Sequence, residues 1–203
     1  MYTVIGHPNS RAGRVTWALE EMGLEWTLTP AAPQSDEIRA VNPGGKIPAL
    51  RVDDTVIIDS VAIITFLADR HGALTAPAGT TARGQQDSFT QFACDEMDAS
   101  LWTAAKSRFA LPEEQRVPAI KDTAIWEWQR ACRTLETRLG DRTFVMGDEL
   151  TLPDIVIGHC AGWANAAKFG WPDGPVGAYF DRLTSRPARK RAFKKALSFV
   201  PAD

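Results

Sequence analysis

The sequence lacks the features that mark several protein classes. It has only three cysteines, Cys94, Cys132 and Cys160, whose odd number and wide spacing suggest neither a disulfide framework nor a zinc site. No apolar run approaches the ~20 residues of a membrane span, and no charged leader precedes an apolar segment with a small-residue cleavage site. We therefore expect a cytoplasmic protein that has no membrane contact.

A strong charge of either sign is also missing. The formal net charge of -2 gives no global basic excess, so we expect no binding to nucleic acid or to an anionic membrane. The one basic cluster, "RPARKRAFKK" at residues 186–195, has Ala188, Ala192 and Phe193 at helical spacing, which predicts a solvated helix face. The hydrophobic share of 44% is enough to fill ordinary globular cores.

What the chain does contain is two kinds of hydrophobic pattern. Strand-like runs such as "YTVIG" and "TVIID" alternate with helical patterns in the first part, whereas the remainder has helical periodicity alone. The predicted order β-α-β-α-β-β-α has one crossover followed by a hairpin, which favours a mixed sheet with helices on its faces. We predict an α/β domain over residues 1–75, a linker over 76–84 and an all-α domain over 85–203.

Three stretches of the first domain resemble known landmarks. They are "HPNSRAGRVTWALEEMGLEW", "NPGGKIPAL" and "IIDSVAIITFLADRHG", in this order along the chain. Together they resemble the N-terminal domain of the cytosolic glutathione S-transferases, in particular the bacterial-type members with a serine at the first landmark. The resemblance extends over the whole chain, because that family joins a thioredoxin-like domain to an all-helical one.

The second landmark places Pro48 at the start of a predicted strand. The sequence alone leaves two interpretations, a strand-opening proline or a cis Ile47–Pro48 bond. The resemblance implies the cis form and implies that the backbone of Ile47 pairs with the cysteinyl part of glutathione. It also implies that Lys46 lies near the glycine end of glutathione, although an exposed loop lysine is the alternative.

The third landmark carries Asp59 and Ser60 at a predicted helix start. The γ-glutamyl end of glutathione has a carboxylate and an ammonium group. A serine hydroxyl with free backbone N–H groups suits the carboxylate, and Asp59 suits the ammonium. The family more often has glutamate at this position, and aspartate is one methylene shorter. The alternative is that both residues only cap the helix.

The first landmark holds the candidates for activating the glutathione thiol. A free thiol has a pKa near 8.5, and a hydroxyl or amide N–H at a helix start would stabilise the reactive thiolate. Ser10 and Asn9 both stand there, and the resemblance favours Ser10 with Asn9 as helper or substitute. Ser10 as a helix cap remains the alternative. The absence of cysteine from the first 93 residues argues against the cysteine-type and glutaredoxin-like members.

The resemblance implies a glutathione transferase that joins the thiolate to a small hydrophobic electrophile. Trp102, Lys106 and Phe109 lie where the family lines the electrophile pocket, although core packing is an alternative for the two aromatic residues. It implies a homodimer, with no metal and no cofactor besides glutathione as co-substrate. The rival functions are a glutathione-dependent isomerase, dehalogenase or peroxidase, or a non-catalytic member used for binding or regulation.

Overall fold

The structure, a computed structural model, describes residues 1–201 and divides into two compact units. The first unit contains Met1–Ala78 together with the segment from Ser185 onward, and the second unit is Gly79–Thr184. These units are defined by packing, whereas the boundaries expected near residues 75 and 85 come from sequence pattern and stay a prediction.

The first unit alternates short strands and helices in the predicted order. Its elements up to residue 71 are β1 (Tyr2–Gly6), α1 (Ala12–Glu21), β2 (Trp26–Pro30), α2 (Asp36–Arg39), β3 (Ala49–Val52), β4 (Thr55–Ile58) and α3 (Ser60–His71). The helical spacing of Val15, Ala18, Leu19 and Met22 predicts a helix from Asn9 or Ser10 to Gly23, and α1 is shorter than this at both ends. Gly23 follows it with φ +65°, a left-handed conformation that glycine adopts without steric cost.

The four strands form one mixed sheet in the order β2-β1-β3-β4. The strand β1 runs parallel to β2 and antiparallel to β3, and β3 runs antiparallel to β4. Neighbouring residues of the central strand, Val4 and Ile5, are both buried, so helices cover both faces of the sheet. The predicted thioredoxin-like α/β fold is confirmed.

The second unit is entirely helical in its regular elements. It contains α4 (Thr81–Phe92), α5 (Ala99–Ala105), α6 (Ile120–Leu139), α7 (Leu152–Ala166) and α8 (Gly174–Thr184). A π-helical segment, Ala93–Asp98, joins α4 to α5, and a second one, Lys106–Ala110, follows α5. Among residues 1–201 no helix combines the length and apolarity needed to cross a bilayer.

A buried aspartate fixes the start of α7. The spacing of Thr151 and Asp154 predicts a capping box, and the backbone N–H of Thr151 donates to Asp154 Oδ2 at 2.8 Å. The other carboxylate oxygen, Oδ1, accepts the backbone N–H of Val145 at 3.0 Å and the hydroxyl of Tyr179 at 2.6 Å. Burial raises the pKa of Asp154, and these donated bonds oppose that rise. The carboxylate thus ties α7, α8 and the preceding loop together.

The last helix, α9 (Pro187–Leu197), packs within the first unit against α1. Arg186 donates to both carboxylate oxygens of Glu21, at 2.5 and 2.8 Å. The buried residues of α9 are Ala188, Ala192 and Ala196. Phe193, which directly follows Ala192, lies beside this buried stripe and is 45% exposed.

Candidate functional site

Two of the predicted landmarks meet at the end of β1. A Cβ atom added to Gly6 would lie 3.0 Å from Ala12 Cβ, 3.5 Å from Ile47 Cβ and 3.7 Å from Pro48 Cα. The distance to Ala12 is tighter than most real Cβ contacts, so a side chain at Gly6 would require a small shift there, whereas the other two distances are ordinary contacts. The turn that leads into α1 and the Ile47–Pro48 bond therefore lie next to each other.

The hydroxyl of Ser10 stabilises the turn before α1. Its Oγ donates to the carbonyl oxygen of His7 at 2.6 Å and accepts the backbone N–H of Ala12 at 3.1 Å. Ser10 is half-buried, whereas Asn9 is exposed and its backbone N–H donates to His7 Nδ1 at 3.2 Å. The turn-stabilising role is thus present, and the thiol-activating role of either residue stays a prediction.

The loop that carries Lys46 and Ile47 is held by the buried side chain of Asn42. Its Nδ2 donates to the carbonyl oxygen of Lys46 at 2.7 Å, and its Oδ1 accepts the N–H of Gly44 at 3.1 Å. The Lys46 side chain is exposed, and the Ile47–Pro48 bond is cis, as the resemblance implies. The backbone of Ile47 lies just before the start of β3, so the fold presents it at the strand end.

Asp59 caps α3 in an unusual backbone conformation. Its φ of 72° and ψ of 125° lie in a region that residues with a side chain rarely adopt. Its Oδ1 accepts the N–H groups of Val61 at 2.9 Å and Ala62 at 3.2 Å. Within residues 1–201 its Oδ2 accepts no hydrogen bond, and the side chain is exposed. The capping role is therefore real and leaves one carboxylate oxygen open to solvent.

Arg14 is a candidate site residue that the sequence analysis missed. It lies in α1, is 2% exposed, and its Nη1 donates to Ser60 Oγ at 3.4 Å. Ser60, itself buried, is the first residue of α3, so a guanidinium stands beside a helix N-terminus. This arrangement favours a carboxylate ligand. The sequence does hold a signal for this residue, because Arg14 lies among the apolar residues of a predicted core helix. An arginine buried in such a helix is almost always paired with another polar group.

The residues expected at the electrophile pocket lie in the second unit. Trp102 is half-buried in α5, and Lys106 and Phe109 belong to the second π-helical segment. Phe109 is 63% exposed, so its side chain does not have the core-packing role that the sequence left as an alternative. Within residues 1–201 no group of three or more His, Cys, Asp or Glu side chains is arranged to hold a metal ion.

Both units match described sequence families. Residues 10–70 match "Glutathione S-transferase, N-terminal domain", and residues 118–192 match "Glutathione S-transferase, C-terminal domain". The chain is 27% identical over 188 residues to glutathione S-transferase GstA of Escherichia coli O157:H7, covering 88% of this chain and 89% of that relative.

Two further comparisons extend this likeness. Elongation factor 1-gamma 3 of Oryza sativa subsp. japonica is 26% identical over 160 residues, covering 75% of this chain but only 38% of that protein. A crystal structure of a glutathione transferase from Methylococcus capsulatus is 25% identical and superposes with a TM-score of 0.83, covering 98% of this chain and 100% of the other. The likeness to that structure therefore spans both units.

Proposed function

Because the chain belongs to the glutathione S-transferase family, we propose that it activates the thiol of glutathione as a thiolate for attack on a small hydrophobic electrophile. The observation that carries this proposal is the convergence of polar groups around α1 in the first unit. The Ser10 turn adjoins Ile47 and Pro48 through Gly6, and Arg14 of the same helix reaches Ser60.

The γ-glutamyl end of glutathione binds at the start of α3 in this proposal. Its carboxylate receives the Ser60 hydroxyl and the first backbone N–H groups of α3, with the Arg14 guanidinium beside them. Its ammonium pairs with Asp59 Oδ2, because Oδ1 already caps the helix. The shorter aspartate therefore serves both purposes through different oxygens.

The rest of glutathione follows the loop before β3. The Ile47 backbone pairs with the cysteinyl backbone of glutathione in the manner of an added strand, and Pro48 holds the turn beside it. The exposed ammonium of Lys46 binds the glycine carboxylate, while Asn42 fixes the backbone of Lys46. The bound tripeptide thus meets a charge of opposite sign at each ionised end.

The thiol lies beside the Ser10 turn. The Ser10 hydroxyl carries one proton, which it donates in a hydrogen bond to the carbonyl oxygen of His7. When glutathione binds, the hydroxyl rotates and donates this proton to the sulfur, which stabilises the thiolate. Asn9, exposed at the same turn, is the substitute donor.

The second substrate in this proposal is a small hydrophobic electrophile that contacts Trp102, Lys106 and Phe109. The active protein is a cytoplasmic homodimer that serves detoxification. Rate enhancement then comes from thiolate stabilisation and from holding the two reactants together. Isomerisation, dehalogenation or peroxide reduction would use the same thiolate with a different co-substrate. A non-catalytic binding role is the second candidate, because one relative is named an elongation factor and not a transferase.

Calorimetric titration with glutathione, followed by turnover with a chloronitrobenzene, tests the proposal. We expect Asp59→Ala and Ser60→Ala each to weaken glutathione binding by roughly 1.5–3 kcal/mol, the usual contribution of a charge-assisted hydrogen bond. Asp36→Ala, which removes an exposed acid from the first turn of α2, serves as the matched control and should bind normally.

The outcomes separate the two candidate functions. Absence of binding at millimolar glutathione in the folded wild-type protein would contradict the proposed site. Binding without turnover of any electrophile tried, or of peroxide, would assign the protein to the non-catalytic role. Normal glutathione affinity in both folded variants would reduce Asp59 and Ser60 to helix caps.

A further inference from the structure

The histidine before the Ser10 turn lies in the candidate site but has no part in the chemistry proposed so far. His7 follows Gly6, the last residue of β1, and its side chain is half-buried. It accepts hydrogen bonds from both residues considered for thiol activation. Its carbonyl oxygen accepts the hydroxyl of Ser10 at 2.6 Å, and its Nδ1 accepts the backbone N–H of Asn9 at 3.2 Å.

The contact with Asn9 determines where the His7 ring carries its proton. A ring nitrogen that accepts a hydrogen bond has no proton of its own, so Nδ1 is unprotonated. The neutral imidazole then carries its proton on Nε2 and can donate there. Within residues 1–201 this Nε2 contacts no acceptor. The turn therefore holds an N–H donor in a fixed ring, and the fold itself does not use it.

The neighbouring donors of the turn are already engaged. The hydroxyl of Ser10 and the backbone N–H of Asn9 both donate to His7, and the N–H of Ala12 donates to Ser10 Oγ at 3.1 Å. The side-chain amide of Asn9 is exposed, so water competes for it. A thiolate beside this turn is stabilised best by a donor that gives up no other bond, and the Nε2–H of His7 meets that requirement.

We propose that His7 is a further catalytic residue, which donates its Nε2–H to the sulfur of bound glutathione and stabilises the thiolate. This inference rests on the proposed function, from which it takes the place of the thiol beside the Ser10 turn. With Nε2 protonated and Nδ1 occupied, the ring does not take the thiol proton, which passes to water. The donor is preorganised, because it breaks no earlier bond when the thiolate forms.

Two amide substitutions of His7 separate the proposed donor from the acceptor that holds the turn. In His7→Asn the side-chain Oδ1 takes the place of Nδ1 and can still accept the N–H of Asn9, but nothing replaces Nε2. In His7→Gln the longer side chain can bring an amide N–H to the place of Nε2, but nothing replaces Nδ1. His7→Phe keeps a ring and removes both nitrogens.

Titrating the thiolate absorbance of the glutathione complex measures the effect. We expect His7→Asn and His7→Phe to raise the pKa of bound glutathione by about one unit, which leaves roughly tenfold less thiolate at a pH below both values. His7→Gln should keep the pKa near that of the wild type, and glutathione affinity should barely change in all three variants. His71→Phe, the same replacement at the exposed last residue of α3, is the matched control and should titrate like the wild type.

Nitrogen NMR of the histidine rings gives a second readout, which does not depend on the reaction. The chain has three histidines, and the signal that is absent from His7→Asn identifies His7. We expect the neutral Nε2–H tautomer in the complex with glutathione.

Three outcomes would overturn the proposal, with all variants shown to be folded by circular dichroism. One is a normal pKa of bound glutathione in His7→Asn with a raised one in His7→Gln, which would reduce His7 to a turn acceptor. Another is the wild-type titration curve in every variant, and the third is the Nδ1–H tautomer in the complex. Each of these is observed in a protein that binds glutathione, whereas absence of binding by the wild type would contradict the proposed function itself and this inference with it.

Discussion

Replacing Ser10 by alanine tests one step of the proposed chemistry, the activation of the thiol. The Ser10 hydroxyl donates to the His7 carbonyl at 2.6 Å. It can donate to sulfur only after giving up that bond, because a hydroxyl has a single proton. The change to alanine removes both possibilities and leaves the glutathione contacts at Asp59 and Lys46 in place.

The competing bond sets the size of the expected effect. A hydrogen bond to a charged group contributes about 1.5–3 kcal/mol, and a neutral one such as Ser10 to His7 contributes about 1 kcal/mol. The difference corresponds to about one pKa unit, since each unit is about 1.4 kcal/mol. Ser10→Ala should therefore raise the pKa of bound glutathione by about one unit while its affinity for glutathione barely changes.

The sign of the pH dependence follows from that shift. At a pH below both pKa values the variant holds roughly tenfold less thiolate than the wild type, and the loss fades as the pH rises above both values. Titrating the thiolate absorbance of the glutathione complex from acid to mildly alkaline pH measures this directly. The same titration of Asn9→Ala tests the amide as the substitute donor.

Two results would refute the reasoning about Ser10. An unchanged titration curve in a Ser10→Ala variant that still binds glutathione would leave this serine as a turn residue only. A raised pKa in Asn9→Ala alone would transfer the role to the amide. A modest loss of folding stability in Ser10→Ala is expected in either case, because the N–H of Ala12 loses its acceptor.

The remaining predictions concern stability, reactivity and assembly. Tyr179→Phe removes a donor to the buried Asp154 carboxylate and should lower the free energy of unfolding by roughly 1.5–3 kcal/mol in urea denaturation; no change would contradict the role given to this bond. Burial raises the pKa of Cys132 to about 12, so its thiol should resist alkylation at mildly alkaline pH in the native protein and react once unfolded. Light scattering should give twice the chain mass at micromolar concentration, and a single-chain mass would exclude the proposed homodimer.

The sheet and the landmark residues were predictable because short-range rules determine them. Alternating apolar runs and turn residues indicated all four strands. The cis bond before Pro48 was not predictable from propensity, since the cis form is a minority state. It followed from the resemblance of three separated stretches taken together.

The features that were missed depend on contacts between distant parts of the chain. The helix α9 packs against α1 through Arg186 and Glu21, which are 165 positions apart, and no local pattern reports that pairing. Likewise, the buried Arg14 donates to Ser60 of α3, which is 46 positions away in the chain. Periodicity gave the apolar face of α1 but could not show that the helix is covered on more than one side.

The proposed function asks two things of both Asp59 and Ser10, to stabilise a helix start or turn and to bind glutathione, and the two residues differ in how these roles combine. Asp59 has two oxygens, and the helix uses Oδ1 alone, so capping and ligand binding are compatible in a single state. Ser10 has one proton, which it gives to His7, so its two proposed roles exclude each other in time. In the proposed site Asp59 would therefore be preorganised for glutathione, whereas Ser10 would exchange one partner for another, which would reduce its net contribution to the thiolate.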